Sequence, residues 1–134
     1  MTSTEPFALA VDDDPLILMD VCQILEDAGF RFHEAGTGDE AVQRLERAGE
    51  SITLLFTDVE MPGGLNDFQL ASLVAERWPE IEIVVASGRL KPGPGDLPEK
   101  ATFIGKPFSA QLVHDHLREK LPDGKKPEPL KKPA

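Results

Sequence analysis

Short apolar runs take turns with segments of three-to-four-residue apolar periodicity from Phe7 to Leu121. The first run, FALAV (7–11), predicts a strand. Asp14 followed by Pro15 reads as a helix N-cap with proline at the first helical position. Ile17, Val21, Ile24, Leu25 and Ala28 fall on one face of that helix, and Gly29 ends it near Ala28. FRFHEA (30–35) alternates like a half-buried strand, and Gly38 to Ala48 predicts a second, more polar helix with Ala41, Val42 and Leu45 turned inward. ITLLFTD (52–58) is the unbroken apolar pattern of a strand covered on both faces. A third helix carries Ala71, Val74, Ala75 and Trp78 on one side and stops at Pro79. IEIVVAS (81–87) and ATFI (101–104) are the fourth and fifth strands. SAQLVHDHLREKL (109–121) is the last helix, with Leu112, Val113, His116, Leu117 and Leu121 as its inner stripe. This alternation predicts an α/β domain, a parallel sheet with helices on both faces.

One link breaks the pattern. Gly88 to Lys100 contains Pro92, Pro94 and Pro98 together with Gly93 and Gly95, so the helix due there is expected to be short or missing. Residues 1–6 are expected to be a flexible N-terminus, residues 7–121 the domain, and residues 122–134 (PDGKKPEPLKKPA) a disordered Lys/Pro-rich tail with almost nothing to bury.

Composition then bounds the partners. The chain has 134 residues and 40% hydrophobic content, enough for one domain with a real core. Its net charge is −10, and because the tail sets four lysines against Asp123 and Glu128, residues 1–121 carry −12. Such a body repels nucleic acid and acidic membrane surfaces and suits metal ions or basic protein patches. Cys22 is the only cysteine, which excludes an internal disulfide and a thiolate zinc site and fits a reducing compartment. No stretch approaches the ~18 apolar residues of a membrane span, and MTSTEPFAL lacks the features of a signal peptide. The expected location is the cytoplasm.

Candidate chemistry begins at VDDDP (11–15), where three consecutive carboxylates stand at the edge of the core. Mutual repulsion makes this costly unless a cation or hydrogen bonds offset it. Either the acids form a cation site, or they are a solvated turn; Asp14, with Pro15 behind it, reads as a cap rather than a ligand. Open parallel sheets build sites at the carboxyl ends of their strands, where the strand order reverses. Here the first strand ends in Asp12 and Asp13, the third in Asp58 and the fourth in Ser87, while the fifth runs into Lys106. Carboxylates with a carbonyl oxygen and water make a hard, oxygen-only site that favours Mg2+ or Mn2+. Lys106 supplies a point charge for an anion, and the Ser87 hydroxyl can donate to it. A carboxylate beside such a cation is a candidate nucleophile toward phosphorus, giving an aspartyl phosphate.

Four separated motifs in order, VDDDP, TDVEMPGG, VVASG and GKPF, resemble the receiver domain of bacterial two-component response regulators, over nearly all of Phe7 to Leu121. The resemblance implies a flavodoxin-like, doubly wound five-stranded sheet of order 2-1-3-4-5. It implies Asp58 as phosphoacceptor, with Asp12, Asp13, Asp58 and the backbone carbonyl of Glu60 holding magnesium. It also implies that Ser87 and Lys106 contact the phosphoryl group and that Phe103 takes the place of the switch aromatic. The phosphodonor is a phosphohistidine on a sensor histidine kinase or a histidine phosphotransfer protein. Self-phosphorylation from a small phosphodonor and slow autodephosphorylation are the only enzymatic steps expected, and Glu60 and Arg89 either tune hydrolysis or are surface charges. With no output domain after Leu121, the chain reads as a stand-alone receiver whose downstream protein target the sequence does not name.

Three departures stand out: Asp67 where the family has glycine, Gly105 before Lys106 where a bulkier residue is common, and the Pro/Gly-rich link in place of most of the fourth helix. Phe103 reads equally as core or switch. Two other classes share the same residues: a metal-dependent phosphohydrolase, for which no general acid/base is evident after Asp58, and a receiver-like scaffold that binds partners without phosphorylation.

Overall fold

The computed structural model describes residues 7–12, 14–48, 51–58, 67–87, 101–105 and 108–121. In chain order these form β1 (Phe7–Val11), α1 (Pro15–Asp27), β2 (Arg31–Ala35), α2 (Gly38–Ala48), β3 (Ile52–Asp58), α3 (Asp67–Arg77), β4 (Glu82–Ser87), β5 (Thr102–Gly105) and α4 (Ala110–Lys120). The strands make one parallel sheet of order β2-β1-β3-β4-β5. Element types and order agree with the apolar pattern throughout. The link Gly88 to Lys100 and the two terminal segments lie outside the described residues.

Local chemistry sets the boundaries. The Asp14 carboxylate accepts from the backbone N–H groups of Leu16 (2.9 Å) and Ile17 (3.4 Å), satisfying donors that the first turn of α1 leaves unpaired. At the other end Gly29 adopts φ 104°, where an L side chain would be strained. Its N–H donates to the Glu26 carbonyl (2.9 Å) and that of Phe30 to Leu25 (3.0 Å), the paired bonds of a Schellman motif. The start of α2 follows a signal absent from the sequence reading. The Thr37 hydroxyl accepts from Glu40 N–H (3.1 Å), while the Glu40 carboxylate reaches back to Gly36 N–H (3.3 Å), a variant of the capping box. Ser109 caps α4 through Leu112 N–H at 3.1 Å.

Two apolar layers flank the sheet. On one side Ala8, Ala10, Phe56 and Ala86 meet Leu25 of α1 and Leu117 of α4. On the other, Leu9, Val11, Leu55 and Val85 meet Leu45 of α2 and Val74 of α3. Alternation along each strand sends neighbouring residues into opposite layers, which is why continuous apolar runs were required. The register slips once, between Phe7 and Ala8 against β3, and the Thr53 hydroxyl donates to the Phe7 carbonyl there at 3.3 Å.

The inner stripe predicted for the last helix needs one correction. Val113, Leu117 and Leu121 are buried, but Leu112 is 45% exposed. Leu112 and Val113 are consecutive, 100° apart around the helix, and the sheet layer is wide enough for only one of them. His116 is half-buried, and its Nε2 lies 2.8 Å from Thr102 Oγ1 on β5.

Candidate functional site

Between β1 and β3 the strand order reverses: the chain leaves β1 for β2 on one side and comes back to β3 on the other. Ligand sites of open parallel sheets form at the carboxyl ends of such neighbouring strands. Val11 pairs with Thr57, so Asp12 and Asp58 follow at the same level on adjacent strands. Asp58 in turn pairs with Ala86, and Ser87 with Gly105, so Ser87 stands one position beyond Asp58 on the next strand. Adjacent strands lie ~4.8 Å apart, which gathers Asp12, Asp58 and Ser87 along one short edge. Lys106 follows Gly105 in the chain; Lys106, Asp13, Glu60 and Arg89 lie outside the described residues.

The three consecutive acids divide between two tasks. Asp12 is only 3% exposed, and its Oδ1 accepts the Asp14 N–H at 2.9 Å. Its own N–H donates to the Ala35 carbonyl at 3.1 Å, extending the β1–β2 ladder by one bond. Asp14 points its carboxylate at the α1 N-terminus, as its N-cap geometry requires. A carboxylate as buried as Asp12 loses most of its hydration, a cost that hydrogen bonds such as this one offset in part. A cation at the strand edge would offset more. The donor set predicted from the sequence is all oxygen, which suits magnesium. Among the described residues no three metal-ligating side chains cluster, and Asp13 and Glu60 fall outside that set.

Thr57 is a residue that the sequence reading passed over. It is fully buried immediately before Asp58, and its place as the polar residue directly before the acid in ITLLFTD is the signal that marks it. Phe103 is half-buried and packs against the layer of Val85 and Trp78, so its place in the core is observed. Cys22 is buried against Glu34, 3.6 Å from its carboxylate, and burial with that neighbouring charge pushes the thiol up to about 12. It is inert and stands apart from the strand edge.

Comparison with known proteins follows the same lines. Residues 8–118 match the family model of the response regulator receiver domain. The sensor kinase CckA of Brucella abortus is 28% identical over 116 residues, covering 84% of this chain and 12% of that protein. The nitrogen assimilation regulatory protein NtrX of Azorhizobium caulinodans is 32% identical over 115 residues, covering 78% of this chain and 24% of that protein. The chain thus spans a quarter or less of the curated relatives it matches. Among solved structures, a response regulator receiver protein from Sinorhizobium medicae superposes with a TM-score of 0.81 at 24% identity, over 90% of this chain and 98% of that one. A CheY-like receiver domain protein from Methanospirillum hungatei gives 0.78 at 23% identity, over 91% and 98%. Identities this low establish a shared fold.

Proposed function

The chain belongs to the response regulator receiver family, and on that premise we propose that it accepts a phosphoryl group on Asp58 and signals by the resulting change in charge. The observation that carries this reading is the register: it sets Asp12, Asp58 and Ser87 along one sheet edge at the reversal of strand order. A carboxylate oxygen of Asp58 attacks phosphorus, the nitrogen–phosphorus bond of a donor phosphohistidine breaks, and the imidazole leaves. The donor is a sensor histidine kinase or a histidine phosphotransfer protein.

Asp12, Asp13, Asp58 and the Glu60 carbonyl would hold Mg2+, which when bound draws charge from the phosphoryl oxygens. Around it the chain's own residues divide the work. Asp12 contributes a buried carboxylate to the cation site, Ser87 donates a hydrogen bond to a phosphoryl oxygen, and Lys106 balances its charge. Glu60 and Arg89, close in sequence to Asp58 and Ser87, would tune hydrolysis of the acyl phosphate. Phosphorylation adds up to about two negative charges, enough to draw Ser87 and Lys106 inward and to reset Phe103 on β5.

The test is intact-protein mass spectrometry after incubation with acetyl phosphate, with and without magnesium. One phosphoryl group is expected on the wild type, only with magnesium, and none on Asp58→Asn. An adduct that persists in Asp58→Asn overturns the assignment of the acceptor. Absence of any adduct from acetyl phosphate and from a phosphohistidine donor favours the phosphorylation-independent scaffold.

A further inference from the structure

The order β2-β1-β3-β4-β5 leaves β2 at one edge of the sheet, and among the described residues no strand lies beyond it. The Ala35 carbonyl accepts from Asp12 N–H at 3.1 Å, so Ala35 turns its backbone groups toward β1. Successive residues of a strand turn their N–H and C=O to opposite sides, so Arg31 and His33 also face β1, while Phe32 and Glu34 present theirs to the open edge. Such a row is a template for a further strand.

The side chains along this edge select what can add to it. Arg31 and His33 share the α2 side of the sheet with Ala35, and Phe32 and Glu34 share the α1 side. On the α2 side the Arg31 guanidinium lies over the Phe7 ring at 5.1 Å, and that ring stacks on His33 at 5.0 Å. Burial first, then Arg44 of α2 and Arg31, hold His33 below its ordinary 6.5, so both guanidinium groups lie close to it. Both arginines are exposed, and among the described residues neither is paired with a carboxylate. On the α1 side Phe32 opens onto a hollow of about 370 Å3, lined also by Phe7, Glu26, Phe30 and Arg31. One face of the edge is therefore cationic, although residues 1–121 carry −12, and the other is aromatic with Glu34 and Glu26 beside it.

We propose that the open edge of β2 docks an extended segment of a partner protein whose side chains alternate between acidic and apolar, added to the sheet as a further strand. Its backbone pairs with Phe32 and Glu34, which supplies affinity, and its alternate side chains supply selectivity. The acids meet Arg31 and Arg44 on the α2 side. The apolar side chains cover Phe32 and enter the hollow on the α1 side, where Glu34 and Glu26 repel an acid. A second copy of this chain is a poor occupant: antiparallel pairing of β2 with itself about His33 sets His33 against His33 and brings a second pair of arginines to the same face. The inference does not depend on phosphoryl chemistry.

Amide hydrogen exchange in the isotope-labelled full chain, read by NMR, tests it. The probe is a synthetic peptide of about seven residues, glutamate alternating with valine and one central phenylalanine, added to about 1 mM. The expected result is exchange slowed several-fold at the Phe32 and Glu34 amides, with His33 and Ala35, already bonded to β1, unchanged. Arg31→Gln and Arg44→Gln together should weaken the peptide about tenfold, and unchanged exchange at His33 and Ala35 in that variant shows that the sheet is intact. No slowing at Phe32 and Glu34 overturns the proposal, as does equal slowing by a peptide with lysine in place of glutamate. Shifts around Arg31 and Arg44 that inorganic phosphate or an oligothymidylate reproduces, with no slowing at those two amides, overturn it in favour of a general anion patch. Slowing in the peptide-free chain that grows with protein concentration overturns it in favour of pairing between copies.

Discussion

Over β1 the two layers of this sheet reach burial by opposite divisions of volume. Toward α1 and α4, β1 offers only Ala8 and Ala10, and the helices bring large residues such as Val21, Leu25 and Leu117. Toward α2 and α3, β1 offers Leu9 and Val11, and the helices answer with Ala41 and Ala71 beside Leu45. Interiors pack to a nearly constant density, so a small residue on the sheet requires a large one above it. The layers also differ in their polar fastenings. On the α1/α4 side, His114 Nε2 meets the Ile24 carbonyl at 2.8 Å and His116 meets Thr102 at 2.8 Å. On the α2/α3 side, among the described residues, Arg77 makes surface ties, lying over the Trp78 ring at 4.5 Å and on the Glu46 carboxylate at 3.3 Å. One layer is buttoned by hydrogen bonds reaching inward, the other by contacts around its rim.

Substitutions on adjacent residues of β1 probe the division of volume most strongly. Leu9→Ala is expected to cost about 3 kcal/mol by leaving a cavity under α2 and α3. Ala10→Leu is expected to cost about 2 kcal/mol by overfilling the space under α1. Urea denaturation of both variants measures the two costs, and Ala10→Leu as stable as wild type would break the comparison.

Acid tests the fastenings. His116 is held below its ordinary 6.5 first by burial and then by Lys120, against a smaller opposing effect of Glu119. His33, stacked on Phe7 at 5.0 Å, is held below it first by burial, then by Arg44 and Arg31. Both are more readily protonated in the unfolded chain. The stability they contribute is therefore complete above pH 6.5 and is lost as pH falls through the lower folded values. Urea midpoints should fall between pH 7.5 and 5.5, and His116→Gln and His33→Gln should each remove part of that fall. The rim salt bridge is the smallest effect. Arg77 and Glu46 have side chains 44% and 52% exposed, so Glu46→Gln is expected to cost no more than about 0.5 kcal/mol, in the same urea assay.

Much of this architecture is legible along the chain because its signals are local. Asp14-Pro15 and Gly29 each act within one helical turn, and their bonds are made where the sequence places them. The ends of the strands were legible for the same reason: an apolar run that stops in Asp58 or Ser87 stops at the edge of a buried layer. Leu112 was misplaced because helical periodicity specifies an angle, whereas burial depends on how wide a face the sheet covers. The bond of His116 to Thr102 was invisible because it joins residues of two elements whose relative height only packing sets.

The sequence by itself determined the order and type of the elements, since periodicity and capping are properties of neighbouring residues. It also named Asp12, Asp58 and Ser87, whose strand ends the register sets along one edge, because strand ends are punctuated locally. Register, strand order, the opposite division of volume between the layers and the burial of Asp12 were decided by the tertiary structure. These depend on which surfaces pair across many residues of chain, and no short-range rule contains that choice.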